Sequence, residues 1–196
     1  MATATPLRVL LVGLDSPHIE ILHAELERIG CTVVGVLDAA FDIVRQVESL
    51  QPDAIIIDSD SPQRDTLEHI AAMSLAAPRP IVMFSDDADP ALMKRVFQAG
   101  VSSYVVEGLS TVRLMPLLQL AIARFEADLA LRNELAATRE QLADRKRIER
   151  AKGILMADRQ IDEEAAYRQL RKLAMDRKLR LIDVADRIID AKDLIG

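Results

Sequence analysis

The stretch DAIIIDSDSP (Asp53–Pro62) decides the fold. Ala54 to Ile57 are apolar without alternation, and the run stops at a carboxylate, Asp58, with turn formers behind it. A strand that is apolar on both sides is buried on both sides, which points to a parallel sheet covered by helices rather than to a hairpin. Outward from this strand the same unit repeats. On its N-terminal side lie a strand over Leu7–Gly13, a helix over Pro17–Ile29 and a β-branched strand over Thr32–Val36. That helix carries Ile19, Leu22, Leu26 and Ile29 on one face, and Gly30 stops it. A second helix follows over Ala39–Leu50. On the C-terminal side come a helix over Arg64–Ala76, a strand over Pro80–Ser85, a helix over Pro90–Ala99 and a strand over Ser103–Val106. Strands separated by helical segments of this length predict an α/β domain with a flavodoxin-like, doubly wound five-stranded parallel sheet.

Beyond Ser110 the punctuation stops: Pro116 and Gly153 are the only proline and internal glycine up to Gly196. Leu114, Leu118, Ile122, Phe125 and Leu129 form one stripe, and Leu131, Leu135 and Leu142 continue it with a phase shift. A long charged helix with so narrow an apolar seam calls for a partner helix. The reading is a homodimeric coiled coil; the alternative is packing back on the same chain. Ile148, Ala151, Ile154 and Leu155 close the long helix. Asp162 is placed to cap a helix that buries Ala166, Leu170 and Ala174, and Leu181, Val184, Ala185 and Ile188 mark a third.

Charge divides the chain in the same place. Residues 1–125 hold nine Lys/Arg against 16 Asp/Glu, a net of −7, whereas residues 145–180 hold 12 against six, a net of +6. A basic segment on an acidic body suits a polyanion partner, and equally an ordinary solvated helix surface. Aromatic residues make up 3% of the chain, with no Trp, too few for a broad base-stacking or sugar-binding face. The single Cys31 excludes a disulfide framework and reads as a core thiol. No apolar run approaches the roughly 20 residues that span a bilayer, and the first residues lack a signal-peptide pattern, so a cytoplasmic protein without membrane contact is expected.

Carboxylates and hydroxyls at strand ends meet in doubly wound folds. Here these are Asp15 after the first strand, Asp58 ending the third, and Ser85 with Asp86 ending the fourth. A carboxylate at Asp58 is chemically able to accept a phosphoryl group, and the Ser85 hydroxyl to bond it. His18, His23 and His69 show no metal-ligand spacing, and His23 and His69 read as surface residues. There is no GxGxxG, Walker loop or Ser/His/Asp arrangement, so neither a cofactor nor an enzymatic activity is expected.

At these positions the chain resembles a response-regulator receiver domain. Asp58 matches the family's acceptor Asp, with Pro62 four residues on; Ser85 matches its switch hydroxyl; Gly100 and Tyr104 match its Gly and aromatic switch. The resemblance implies a phosphoacceptor at Asp58 and switch positions at Ser85, Tyr104 and residue 107. The departures are sharp. Receivers carry an acidic pair directly after strand one to hold Mg²⁺, and Gly13 and Leu14 stand there, with Asp15 one step late. That leaves Asp15 and Asp58 as weak Mg²⁺ candidates. Where receivers place a Lys, Glu107 reverses the charge. Phosphoryl transfer depends on positioning and charge neutralisation, and both are weakened here. The other reading is a receiver fold kept as a protein-binding module.

RKRIERAKGILM (Arg145–Met156), EEAAYRQLRKLAM (Glu163–Met175) and LIDVADRII (Leu181–Ile189) resemble an ANTAR domain, the RNA-binding antitermination module. PRPIVMFSDDADP (Pro78–Pro90) and VSSYVVEGLS (Val101–Ser110) narrow the likeness to the NasT-type nitrate/nitrite-assimilation antiterminators. In that group the Lys-to-Glu change at Glu107 is typical. The expected organisation is a receiver-like domain over residues 1–120, a coiled-coil helix over 121–147 and a small three-helix ANTAR domain over 148–196. The resemblance implies leader-RNA stem-loops as target, a homodimer matching two hairpins, and a nitrate/nitrite-sensing protein as controlling partner.

The residues expected to hold RNA are Arg145, Lys146, Arg150 and Lys152 on the long helix, with Arg168, Arg171 and Lys172 on the next. Cations at helical spacing grip phosphates. Tyr167, the tail's only aromatic residue, either stacks on an unpaired base or packs as core. The competing function is a phosphorylation-dependent DNA-binding response regulator. It fits poorly, because the last helix sets Arg187 against Asp183, Asp186 and Asp190, whereas a major-groove helix should be basic.

Overall fold

The computed structural model describes residues 5–13, 18–38, 43–60, 62–106 and 114–195. The chain divides into two compact units, Met1–Leu129 and Ala130–Gly196.

The first unit contains β1 (Arg8–Gly13), α1 (Ile19–Arg28), β2 (Thr32–Leu37), α2 (Ile43–Leu50), β3 (Ala54–Asp58), α3 (Arg64–Ala76), β4 (Ile81–Ser85), α4 (Pro90–Gln98) and β5 (Ser103–Val106). It also holds the first part of α5 (Leu114–Arg159). The five strands are parallel in the order β2-β1-β3-β4-β5, the doubly wound arrangement the apolar runs predict. Every residue of β3 and β4 is buried. Alternate side chains serve opposite faces. Leu10, Val12, Ile55, Ile57, Ile81 and Met83 pack beneath α2, α3 and α4, through residues such as Val47, Ile70 and Val96. Val9, Leu11, Ile56, Val82 and Phe84 pack against α1 and the start of α5, through Leu22, Leu26, Leu114, Leu118 and Ala121. Gly100 turns α4 into β5 at φ +104°, and a Cβ there would strike Ser74 Oγ at 2.4 Å, so both backbone and space require glycine.

The seam of α5 therefore changes character along its length. Leu118, expected to face a partner chain, is fully buried in its own sheet's core, because the helix start covers β1, β3 and β4. Leu131, Leu135 and Leu142 stay exposed, at 65%, 48% and 55%.

In the second unit the end of α5 packs with α6 (Glu163–Arg177) and α7 (Leu181–Ile195). Ala151, Leu155, Ala166, Leu170, Ala174, Val184, Ala185 and Ile189 form its core. Asp162 caps α6 as expected, its carboxylate accepting from the Ala165 N–H at 2.7 Å. Lys178 closes α6 in the left-handed conformation at φ 53°. Ion pairs tie α7 to α5: Arg147 to Asp186, Arg150 to Asp193 and Lys192 to Asp158.

Candidate functional site

The C-terminal ends of the strands bring Asp58, Ser85 and Tyr104 together from β3, β4 and β5. Asp58, 4% exposed, lies in register with Gly13 of β1 and Phe84 of β4. Its Oδ2 is 3.4 Å from Nδ1 of His18, just before α1. Sequence reasoning missed this neighbour, since 40 residues separate the two. Ser85 does not wait idle. Its hydroxyl donates to the Asp60 carbonyl at 2.9 Å and accepts the Asp87 N–H at 3.2 Å. The Tyr104 hydroxyl donates to the Asp87 carbonyl at 2.7 Å. Ser85 and Tyr104 thus hold both backbone groups of one residue in the loop that leads to α4. Burial pushes the Tyr104 phenol above its ordinary pKa, so it remains a donor at neutral pH.

At the first of the two positions of the receiver's acidic pair the space is filled by hydrocarbon: the side chain of Ile19 packs directly over Gly13, while Leu14 lies outside the described residues. Asp15 and Glu107 lie outside the described residues. Among the described residues no group of three or more His, Cys, Asp or Glu is arranged to hold a metal.

The second unit sorts its cations into paired and unpaired. Arg150 pairs with Asp193 at 2.7 Å, and Arg168 with Glu164 at 2.6 Å. Lys152 does not stand on the open face expected of it; it is 7% exposed. Its ammonium donates to Glu149 at 2.8 Å and to Glu163 at 2.7 Å, joining α5 to the first turn of α6. It also lies 5.9 Å from the centre of the Tyr167 ring. The hydrogen bonds from Lys152 hold the Glu163 carboxyl below its usual range, and those to Glu149 and then Glu163 raise the Lys152 ammonium above its own. Arg145, Lys146, Arg171 and Lys172 are exposed, and no carboxylate pairs with them among the described residues. Tyr167 is 40% exposed, so of the two readings offered by the sequence the buried core position is not the one observed.

Comparison with known proteins places both units. Residues 9–119 match the response regulator receiver domain, and residues 136–189 match the ANTAR domain. The chain is 34% identical over 190 residues to the transcriptional regulatory protein PdtaR of Mycobacterium tuberculosis, covering 95% of this chain and 91% of that one. A nitrate regulatory protein of Klebsiella oxytoca is 39% identical over 64 residues, covering 33% of this chain and 16% of that one. Among solved structures, the signal receiver domain of a modulated diguanylate cyclase from Desulfovibrio desulfuricans G20 superposes with a TM-score of 0.56 at 22% identity. It covers 63% of this chain and 99% of its own, a likeness of fold alone. Among the described residues no helix is long and apolar enough to cross a membrane.

Proposed function

The chain belongs to the response-regulator family, in the group whose receiver domain is followed by an ANTAR domain, and from that premise we propose that it is a transcription antitermination regulator binding paired hairpins in leader RNA. The carrying observation is that four of the cations expected to hold RNA, Arg145 and Lys146 on α5 with Arg171 and Lys172 on α6, are exposed inside the ANTAR match and have no carboxylate partner among the described residues. Cations without internal carboxylates are the ones available to phosphates. Arg150 and Lys152, bound to Asp193 of α7 and Glu163 of α6, serve chiefly to hold the three helices together, and Arg168 is occupied within α6 by Glu164. Two acidic residues of α7 are engaged with α5, through Arg147–Asp186 and Arg150–Asp193, which favours a packing role for this helix over a DNA-recognition role.

The receiver unit acts by docking rather than by phosphorylation of Asp58. Support comes from Ile19 filling the space over Gly13 and from the Ser85 hydroxyl already bonded to the Asp60 and Asp87 backbone. The exposed Leu131, Leu135 and Leu142 pair two chains as a coiled coil, giving one ANTAR domain per hairpin. The genes controlled are those of nitrate/nitrite assimilation, and a nitrate/nitrite-sensing protein sequesters the chain until its ligand arrives. This is supported by the sequence likeness of Pro78–Pro90 and Val101–Ser110 to that group and by the Klebsiella relative.

In-vitro transcription tests the reading. A template should carry tandem hairpins, the second overlapping the stem of an intrinsic terminator, with loops chosen by selection on this chain. Added protein should raise read-through. Unchanged termination, with the hairpins bound, would overturn the antitermination role.

A further inference from the structure

A cavity of about 340 Å³ opens where α5, α6 and the start of α7 meet. Its walls are the Tyr167 ring, the aliphatic side chains of Ile148 and Leu181, the carboxylates of Asp144 and Glu149, and Arg145. Resting on the RNA reading, we propose that this cavity receives one unpaired loop base carrying an exocyclic amino group, stacked on Tyr167.

The lining chooses between the parts of a nucleotide. Two carboxylates repel a phosphate, so the cavity is not another backbone grip. Carboxylates accept N–H donors, and each keeps spare lone pairs beyond its own ion pair, Asp144 with Arg147 and Glu149 with Lys152. Guanine, adenine and cytosine present an amino group on the pairing edge. Uracil presents carbonyl oxygens in the same places, which face a carboxylate unfavourably. Ile148 and Leu181 suit the flat, apolar face of a base. Arg145 has no carboxylate partner among the described residues, and is placed to neutralise the phosphate that flanks the inserted base.

The aromatic wall is held in place. Lys152 sits by the Tyr167 ring and is itself fixed by Glu149 and Glu163, so the ring is positioned before a base arrives. A stacking surface already ordered loses less entropy on binding than one that must be ordered by it. The buried lysine of the motif thus acts on RNA through Tyr167 and not through a phosphate.

The experiment uses the full chain and a tandem stem-loop RNA recovered by selection from a loop-randomised library. Loop positions are replaced one at a time by an abasic nucleotide, by uracil, and by fluorescent 2-aminopurine. One loop position should lose about tenfold or more in affinity when made abasic or uracil, and 2-aminopurine there should be quenched on binding, as stacking requires. Tyr167→Leu should lose a similar factor, about 5- to 150-fold, and abolish the quench at that position, while the logarithmic salt slope stays as in wild type. Tyr167→Phe should bind and quench like wild type. Circular dichroism checks that both variants keep their helices, and the abasic and quenching measurements on wild-type protein stand independently of either. If wild type binds the selected RNA but no loop position is quenched and Tyr167→Leu binds equally well, the base site is overturned while RNA binding stands. If selection on the wild-type chain enriches no RNA, the RNA reading itself falls, and the base site with it.

Discussion

A side chain on residue 13 would have its Cβ 2.1 Å from Cγ1 of Ile19, so the end of β1 beside Asp58 is closed to anything larger than glycine. No real contact of this kind survives below about 3 Å, so the Ile19 side chain, the helix start or the strand end would have to move. The consequence reaches the chemistry. In a receiver that holds Mg²⁺, a carboxylate follows strand one, and here that carboxylate would have to displace a branched hydrocarbon.

Wild-type protein incubated with acetyl phosphate and Mg²⁺ is accordingly expected to keep its unmodified mass at Asp58. Gly13→Asp should not install a metal site. It should instead destabilise the sheet by about 1–3 kcal/mol, the usual cost of overpacking, measured by urea unfolding. Stoichiometric labelling of Asp58 in wild type would show that the site transfers phosphate without the acidic pair.

In the proposed coiled coil, pairing would rest on Leu135 and Leu142, which stay exposed in the single chain. Burying each against a second helix stabilises by about 1.5–3 kcal/mol. Leu135→Asp with Leu142→Asp should give a monomer by light scattering where wild type gives a dimer. Wild-type mass retained in the double variant would assign the contact elsewhere.

The Lys152–Glu163 bridge, 2.7 Å, sets a pH window. Glu163 is held below its ordinary pKa by Lys152, so its contribution to stability is present above the ordinary glutamate range and disappears as pH falls through the lowered value. Lys152 is raised, so its contribution is present below the ordinary lysine range and disappears as pH rises through the raised value. Amide exchange along the start of α6, taken relative to the intrinsic rate at each pH, should therefore be slow across neutral pH and accelerate at the acid and alkaline ends. Glu163→Gln should accelerate it at pH 7 and remove the acid-side dependence that Glu163 carries. An exchange profile unaltered by Glu163→Gln would mean the bridge holds nothing.

Gly153 lies inside α5 where a Cβ would touch nothing within 4 Å. Gly153→Ala should raise the stability of the chain by about 0.5–1 kcal/mol through reduced backbone freedom in the unfolded state. A loss of stability in thermal unfolding would reveal a neighbour, such as a second chain, close against this side of α5.

What was legible in the sequence followed local rules. Ala54–Ile57 had to be a doubly covered strand, and Asp162 had to be a cap, because each depends on residues within a few positions of itself. Lys152 misled for the opposite reason. Inside RKRIERAKG it reads as one more surface cation, and one of its acids, Glu149, was in view three residues away. It is buried only because α6 brings Glu163 and Tyr167 onto it, 11 and 15 positions later. His18 beside Asp58 and the joint hold of Ser85 and Tyr104 on Asp87 are products of sheet register, which no local pattern encodes. Leu118 and Leu135 share a helix and a composition; only the sheet beneath the first separates core from seam. The expectations for Asp15 and Glu107 lie outside the described residues.

The central claim is that the second unit binds RNA through its unpaired cations. The most direct measurement is a titration of the full chain against a selected tandem-hairpin RNA and a duplex DNA of the same sequence, over a series of salt concentrations. The account predicts tight binding to the RNA alone, with affinity falling as salt rises by a logarithmic slope near −0.7 per phosphate contact, and a flatter slope by about that amount for each of Arg145→Ala and Arg171→Ala. Equal affinity for the duplex DNA, or RNA affinity and slope unchanged in both variants, would contradict it.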